Sequence, residues 1–201
     1  TATSVGKLYT QKPLGISDAF DFVRDSTSTR VNSLGLIETV ADSVPRIDYT
    51  DGEPSLLLEP SRTNLNSRSS DFNTAPWLKG SNALVNSNAT TSPDGTANAD
   101  RLIDNNSGGT GVVQLVQNFV NLTSGADYSV TIYLKSDQIS IVYLFLQGID
   151  GANSLSAYIN LSDGSVTNKS GTGTFTTTLQ ANGFYKVEVN FSMGAADTAF
   201  S

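Results

Sequence analysis

The sequence predicts an all-β fold, a sandwich or barrel preceded by an extended N-terminal arm. Three observations carry this. Two stretches alternate cleanly between apolar and polar residues, Tyr128 to Lys135 and Phe184 to Ser192, and a period of two is the signature of a half-buried strand. Five dipeptides punctuate the chain with turn chemistry: Asp51-Gly52, Asp94-Gly95, Asp150-Gly151, Asp163-Gly164 and Asn182-Gly183. Charge density changes near Asn64 to Ser70. Residues 1–65 hold six of the twelve basic residues, nine of the nineteen acidic ones and four of the six prolines. The rest is rich in Ser, Thr, Asn and Gly. The expected organisation is therefore an arm and linker over 1–65 and a β domain over 66–201.

Taken in order, Thr1 to Ser17 has little pattern, and Ala19 to Arg24 alternates at Phe20 and Phe22 as a short strand would. Ser28 to Leu65 is dense in short apolar groups set between turn residues, and no single period runs through it. It reads as extended pieces too thin to bury their own apolar residues. Within it Arg46 and Asp48 are two apart, as are Ile47 and Tyr49, so an extended chain puts the charged pair on one side and the apolar pair on the other. Glu59 and Arg62 bracket Pro60. The triplet Leu56, Leu57 and Leu58 needs something to pack on. Arg46, Asp48, Leu56, Leu57, Leu58, Glu59 and Arg62 are thus the candidate interface residues.

In the β domain, Val112 to Val120 is expected as a strand with Val113, Leu115, Gln117 and Phe119 on one side. In the next strand Tyr128, Val130, Ile132 and Leu134 face one way and Ser129, Thr131, Tyr133 and Lys135 the other. Ile139 to Gln147 is apolar on both sides, which fits a strand covered on both faces or one whose second face meets a partner. A hairpin around Asp163-Gly164 joins Ser156–Leu161 to Val166–Lys169. Thr174 to Thr178 follows, and then Phe184 to Ser192 with Tyr185, Val187, Val189 and Phe191 toward the core.

Composition excludes several functions. The chain of 201 residues has 38% hydrophobic and 15% charged residues, a globular balance. Its longest apolar run, Ile139 to Leu146, is under half the length of a membrane helix, so no membrane insertion is expected. It contains neither His nor Cys, which removes most transition-metal sites and every His-based triad. A net charge of -7 argues against nucleic acid, whose backbone requires clustered Lys and Arg. A glycosidase needs two carboxylates across the scissile bond. Of the four Glu residues, Glu38, Glu53 and Glu59 lie in the arm and Glu188 stands alone on its strand. The expectation is no enzyme, no cofactor and no metal; the turn from Gly148 to Asn153 offers Asp150 and Asn153 to Ca²⁺, but a plain Asx turn explains it as well. Sugar binding by aromatic rings is the remaining chemistry. Tyr133, Tyr143, Phe145 and Tyr158 are the candidates, with packing against the arm or a neighbouring subunit as the equal alternative.

Three blocks, "TRVNSLGLIE", "PRIDY" and "LLLEPSRTNL", resemble in this order a linker that recurs in structural proteins of tailed bacteriophages. There it precedes a jelly-roll β-sandwich similar to carbohydrate-binding modules. The run "VQNFVNLTSGADYSVTIYLKS" resembles the central part of such modules, and Phe72 to Trp77 resembles their opening, where the Trp is buried near the first strand. The resemblance implies a non-enzymatic virion protein, on a head-surface or tail fibre, that docks on other virion proteins through the arm. It implies a homo-oligomer, a trimer as in similar fibres. The rivals are a receptor- or glycan-binding tail-fibre module facing host-surface glycans, and an accessory carbohydrate-binding domain of a hydrolase. In the resembling modules a further strand follows the one matching Phe184 to Ser192, so the sandwich over 66–201 is expected to lack its final strand.

Overall fold

The computed structural model describes residues 22–59, 62–106, 111–148, 154–194 and 198–201. They are all-β, and among them no helix is long and apolar enough to cross a membrane. Two compact units divide between Glu59 and Pro60, a few residues before the boundary read from charge density. Half of the strand expected over Ala19 to Arg24 lies outside the described residues, and the other half, Phe22 to Arg24, is not a strand.

Among its described residues the first unit holds two small hairpins. Strands β1 (Ser28–Val31) and β2 (Ile37–Val40) pair antiparallel, with Val31 opposite Ile37 and Ser28 opposite Val40. Their turn is organised by Asn32, whose side-chain oxygen accepts from the Leu34 and Leu36 N–H groups at 2.9 and 3.1 Å. Gly35 sits in that turn at φ 77°, a conformation open to glycine at no steric cost. Strands β3 (Ile47–Asp48) and β4 (Ser55–Leu56) form the second hairpin.

The second unit is a β-sandwich with side ladders. Its strands are β5 (Leu78–Lys79), β6 (Ala83–Thr90), β7 (Ala99–Asp104), β8 (Leu115–Val116), β9 (Asp127–Leu134), β10 (Ile141–Gln147), β11 (Ser154–Asn160), β12 (Val166–Ser170), β13 (Thr174–Leu179) and β14 (Tyr185–Ser192). One sheet has the order β13-β14-β9 and the other β10-β11-β12, all antiparallel. The chain passes from the first sheet to the second between β9 and β10, and returns between β12 and β13. Strands β6 and β7 make a separate hairpin, and β5 pairs with β8.

The alternation read from sequence decides which faces meet. Leu155, Ala157 and Ile159 of β11, Leu146 of β10, Phe175 of β13 and Val187 and Val189 of β14 form one buried cluster. Tyr128, Val130, Ile132 and Leu134 of β9 pack against it, as do Val142 and Leu144. Ile159, Val187 and Val189 are fully buried, and each contributes about 1.5–3 kcal/mol by leaving water. Gly164 closes the β11–β12 turn at φ 75°, where a Cβ would lie 2.5 Å from the Tyr185 ring.

Two expectations are corrected. Val112 to Val120 is not one long strand, because it changes partner part-way. Leu115 and Val116 pair with β5, whereas Phe119 bridges to Phe200. Trp77 is not a core residue. It is half-buried against Phe72, ring centroids 4.9 Å apart, outside the central cluster. Its indole N–H requires an acceptor and finds the Arg68 carbonyl at 2.9 Å, at the surface.

Candidate ligand-binding face

The inner face of β10 and β11 is committed to the core, so the period of two drives the intervening residues outward. The register then sets them in rows. Tyr143 lies opposite Tyr158, and Tyr158 opposite Thr167 of β12. Phe145 lies opposite Ser156, and Ser156 opposite Ser170. Ile141 lies opposite Asn160 and Gln147 opposite Ser154. The result is a group of exposed aromatic rings beside the exposed hydroxyls of Thr167 and Ser170, while Ser156 is buried.

Tyr143, Phe145 and Tyr158 remain 51%, 41% and 41% exposed, although each packs on another ring. Tyr143 and Phe145 have centroids 5.9 Å apart and ring planes within 14°. Tyr143 and Tyr158 are 4.9 Å apart at 40°. Rings held by their neighbours lose little further freedom when a ligand lands on them, which favours binding. The outer face of the opposite sheet holds the fourth candidate, Tyr133, across from Lys186 of β14. Tyr133 is therefore separated from the other three by the thickness of the core. Burial pushes its hydroxyl pKa up, with Lys186 opposing and Glu188 adding to the rise.

The opposite face is polar. Lys186 and Glu188 form an ion pair at 2.9 Å, so the carboxylate left alone by sequence has a cation beside it. No group of three or more Asp and Glu residues capable of holding a metal occurs among the described residues. All but Gly148 of the Gly148 to Asn153 turn lies outside them. An apolar cavity of about 30 Å³, lined among others by Leu146, Leu155, Met193 and Phe200, has room for little more than a water molecule. The accessible chemistry is thus that of a flat aromatic surface.

Among the candidate interface residues, Arg46 is bonded to both Leu57 and Glu59. Asp48 is buried: its carboxylate accepts from the Val31 N–H at 2.8 Å and the Thr50 N–H at 2.9 Å. Burial alone would raise its pKa. Hydrogen bonds from Thr50 and Val31, with the Arg46 charge, hold it below the usual carboxylate range. Arg46, also buried, donates to Glu59 at 2.8 Å and to the Thr29 carbonyl at 3.3 Å, and its own carbonyl accepts from the Leu57 N–H at 2.9 Å. Leu57 is half-buried, while Leu56, Leu58, Glu59 and Arg62 are exposed.

Strands β6 and β7 carry a feature that the sequence reading did not single out. Around the Asp94-Gly95 turn, Asp94 accepts from Ser92, Thr96 and Asn98 side chains at 2.6–2.9 Å. Partial burial opposes ionisation, but these donors bring its pKa from 3.8 down to about 2. The S-x-D-x-T-x-N spacing, which puts every donor within four residues of one carboxylate, was the available signal.

Compared with known proteins, the sequence matches no protein-family model, and no curated protein matches it significantly.

Proposed function

We propose that this chain is a non-enzymatic structural protein of a tailed-bacteriophage virion, displayed at the particle surface, whose β-sandwich offers its aromatic outer face to a saccharide. The observation that carries the sugar contact is the Tyr143–Tyr158–Phe145 column flanked by the exposed Thr167 and Ser170, with Ser156 buried beneath it. Aromatic faces suit the apolar faces of pyranose rings, and hydroxyl side chains at this spacing suit their hydroxyls. The three blocks that resemble the phage linker support the virion setting. The face carries no ionised side chain among its paired residues, which favours a neutral glycan over an anionic one. A glycan array on the purified chain tests the reading. A selective hit that is lost in Tyr143→Ala supports it, and silence across neutral glycans sinks it.

A second reading has its own observation. In the first unit Leu56 and Leu58 are 52% and 72% exposed. Apolar residues left outward in this way favour a homo-oligomer, a trimer, or docking on another virion protein. Light scattering at micromolar concentration tests it: a monomer mass sinks the homo-oligomer, and Leu58→Asp should dissociate a trimer.

A further inference from the structure

The connection between β13 and β14 holds the one Asn-Gly pair of the sequence, Asn182-Gly183. Both residues are exposed and left-handed, Asn182 at φ 58° and ψ 21° and Gly183 at φ 75°. Asn88, Asn121 and Asn168 also have positive φ, but Ala, Leu and Lys follow them. Asn tolerates this conformation because its short side chain can bond nearby main chain. The Asn182 amide instead donates to the Ser92 carbonyl at 2.7 Å, 90 positions earlier.

Ser92 opens the turn between β6 and β7, where its carbonyl also accepts from the Gly95 N–H at 3.1 Å. Among the described residues, two polar side-chain contacts join this hairpin and its turn to the main sheets and their connections. One is the Asn182 amide. The other is the Arg101–Asp137 ion pair at 2.5 Å, which is exposed and open to screening. The turn end of the hairpin is therefore held to the sandwich by the N–H of one asparagine side chain.

That side chain is chemically vulnerable. A following residue's side chain normally shields its main-chain nitrogen, and Gly183 has none. A Cβ there would meet only the Lys135 Cε, at 3.8 Å, the far end of a flexible chain. We propose that Asn182-Gly183 is a self-modification site, a slow deamidation switch that unties the β6–β7 turn from the sandwich. The Gly183 nitrogen bonds to the Asn182 Cγ and gives up its proton, the Cγ–Nδ2 bond breaks, and Nδ2 leaves as ammonia. Water then opens the five-membered imide at either carbonyl, leaving aspartate or isoaspartate. One water enters, one ammonia leaves, and nothing is oxidised or reduced. Both products are carboxylates, which accept hydrogen bonds and donate none. The tie to Ser92 becomes two acceptors facing each other, beside the Asp94 carboxylate of the same turn, and a chain of net charge -7 gains one more negative charge. This inference is independent of the saccharide reading.

A time course on the full chain, warmed at neutral and mildly alkaline pH, tests it. Cleavage after Lys169 and Lys186 releases a peptide whose single Asn is Asn182, so isotope-resolved mass and isoaspartate methyltransferase labelling read this site alone. Conversion should rise with pH, because the attacking nitrogen must lose its proton, and should run within about tenfold of the rate in urea, the weight of one exposed hydrogen bond. A rate independent of pH, or one further below the denatured rate, overturns the proposal, since the fold then guards the residue. Asn182→Asp imitates one product without waiting for it. Its Ser92 and Gly95 N–H groups should exchange with solvent about fivefold faster than in the unmodified chain, with Val187 and Val189 unchanged. Unchanged exchange at Ser92 and Gly95 overturns the switch, as would faster exchange spread evenly through the sandwich.

Discussion

Arg46 and Glu59 are joined by an ion pair of 2.8 Å in which the arginine is buried and the glutamate largely exposed. The pair ties the "PRIDY" block to the "LLLEP" block, while the Asp48 carboxylate ties "PRIDY" to the end of β1 through the Val31 N–H. Arg30 and Asn32 of the first block both reach Glu38, the arginine at 2.6 Å and the amide at 3.1 Å. Up to Glu59, the blocks that look like a recurring linker are therefore tied together by hydrogen bonds, and Arg30, Glu38, Arg46, Asp48 and Glu59 serve the first unit's own shape.

Arg46→Ala should destabilise the first unit by about 2 kcal/mol, because it removes a buried stem together with hydrogen bonds to Glu59 and Thr29. Glu59→Gln should cost less than about 1 kcal/mol, since the carboxylate is exposed and its attraction is screened. Denaturant unfolding followed by circular dichroism measures both. Equal costs would mean that charge, and not burial, holds the blocks together.

Neighbouring residues of β11 should respond in opposite ways. Ile159 is fully buried between the sheets, so Ile159→Ala should cost about 3 kcal/mol through lost transfer energy and a residual cavity. Tyr158, one position earlier and facing out, should cost less than about 1 kcal/mol when changed to Ala. Chemical denaturation of the two variants checks this, and a large Tyr158 effect would place its face inside an interface.

The contrast between these two residues also marks what was legible in the sequence. Strict alternation gave the faces of β9 and β14 because burial on one side is the force that creates the pattern, whereas β10, apolar on both sides, left its faces open. The partner choices were not legible. Val112 to Val120 looks like one strand, yet Leu115–Val116 joins β5 and Phe119 joins Phe200, and a local pattern carries no information about which distant strand is beside it. The same holds for the site. Tyr133, Tyr143, Phe145 and Tyr158 were all legible as outward aromatics, but only the register separates Tyr133 from the other three. Trp77 misled because the resemblance of Phe72 to Trp77 to the opening of such modules implies a buried ring, whereas its N–H is satisfied at the surface.

Asp94 makes the stability of the β6–β7 hairpin depend on pH. Its folded pKa of about 2 lies below the ordinary 3.8, so the stability it adds is complete above 3.8 and is lost as pH falls through 2. Asp94→Asn, which imitates the protonated acid, should be about 1 kcal/mol less stable at pH 7. The gap should hold down to pH 4 and close near pH 2. Thermal melts of both proteins across that range test it, and a gap that persists at pH 2 would assign the effect to shape alone.

Gly171 and Gly35 both have positive φ, 85° and 77°, but differ in their surroundings. A Cβ on Gly35 meets nothing within 4 Å, and Gly35→Ala should cost about 1 kcal/mol of backbone strain. At Gly171 the Cβ would fall on the Ser154 carbonyl oxygen, main chain that cannot rotate aside. Gly171→Ala should lower stability by more than about 3 kcal/mol, seen as a lower melting temperature of the β-sandwich. Similar melting shifts in the two variants would show that the β11–β12 hairpin yields at Ser154.

Tyr143 occupies the centre of the aromatic column, touching both Phe145 and Tyr158. If a saccharide lies on this face, Tyr143→Ala removes the ring under it and loosens the two beside it. Affinity for a glycan found on the array should fall at least about tenfold, the equivalent of 1.4 kcal/mol. Tyr133→Ala is the matched control: it deletes the same side chain from the outer face of the other sheet, next to Lys186, and should leave affinity unchanged. Titration calorimetry with both variants separates the faces, with circular dichroism establishing that each is folded. A loss confined to Tyr133→Ala would move the site to the polar face of β9 and β14, where Lys186 and Glu188 favour a charged ligand. Equal losses in the two would mean that neither ring is the contact, because no single small glycan reaches both sides of a sandwich whose sheets pack about 10 Å apart.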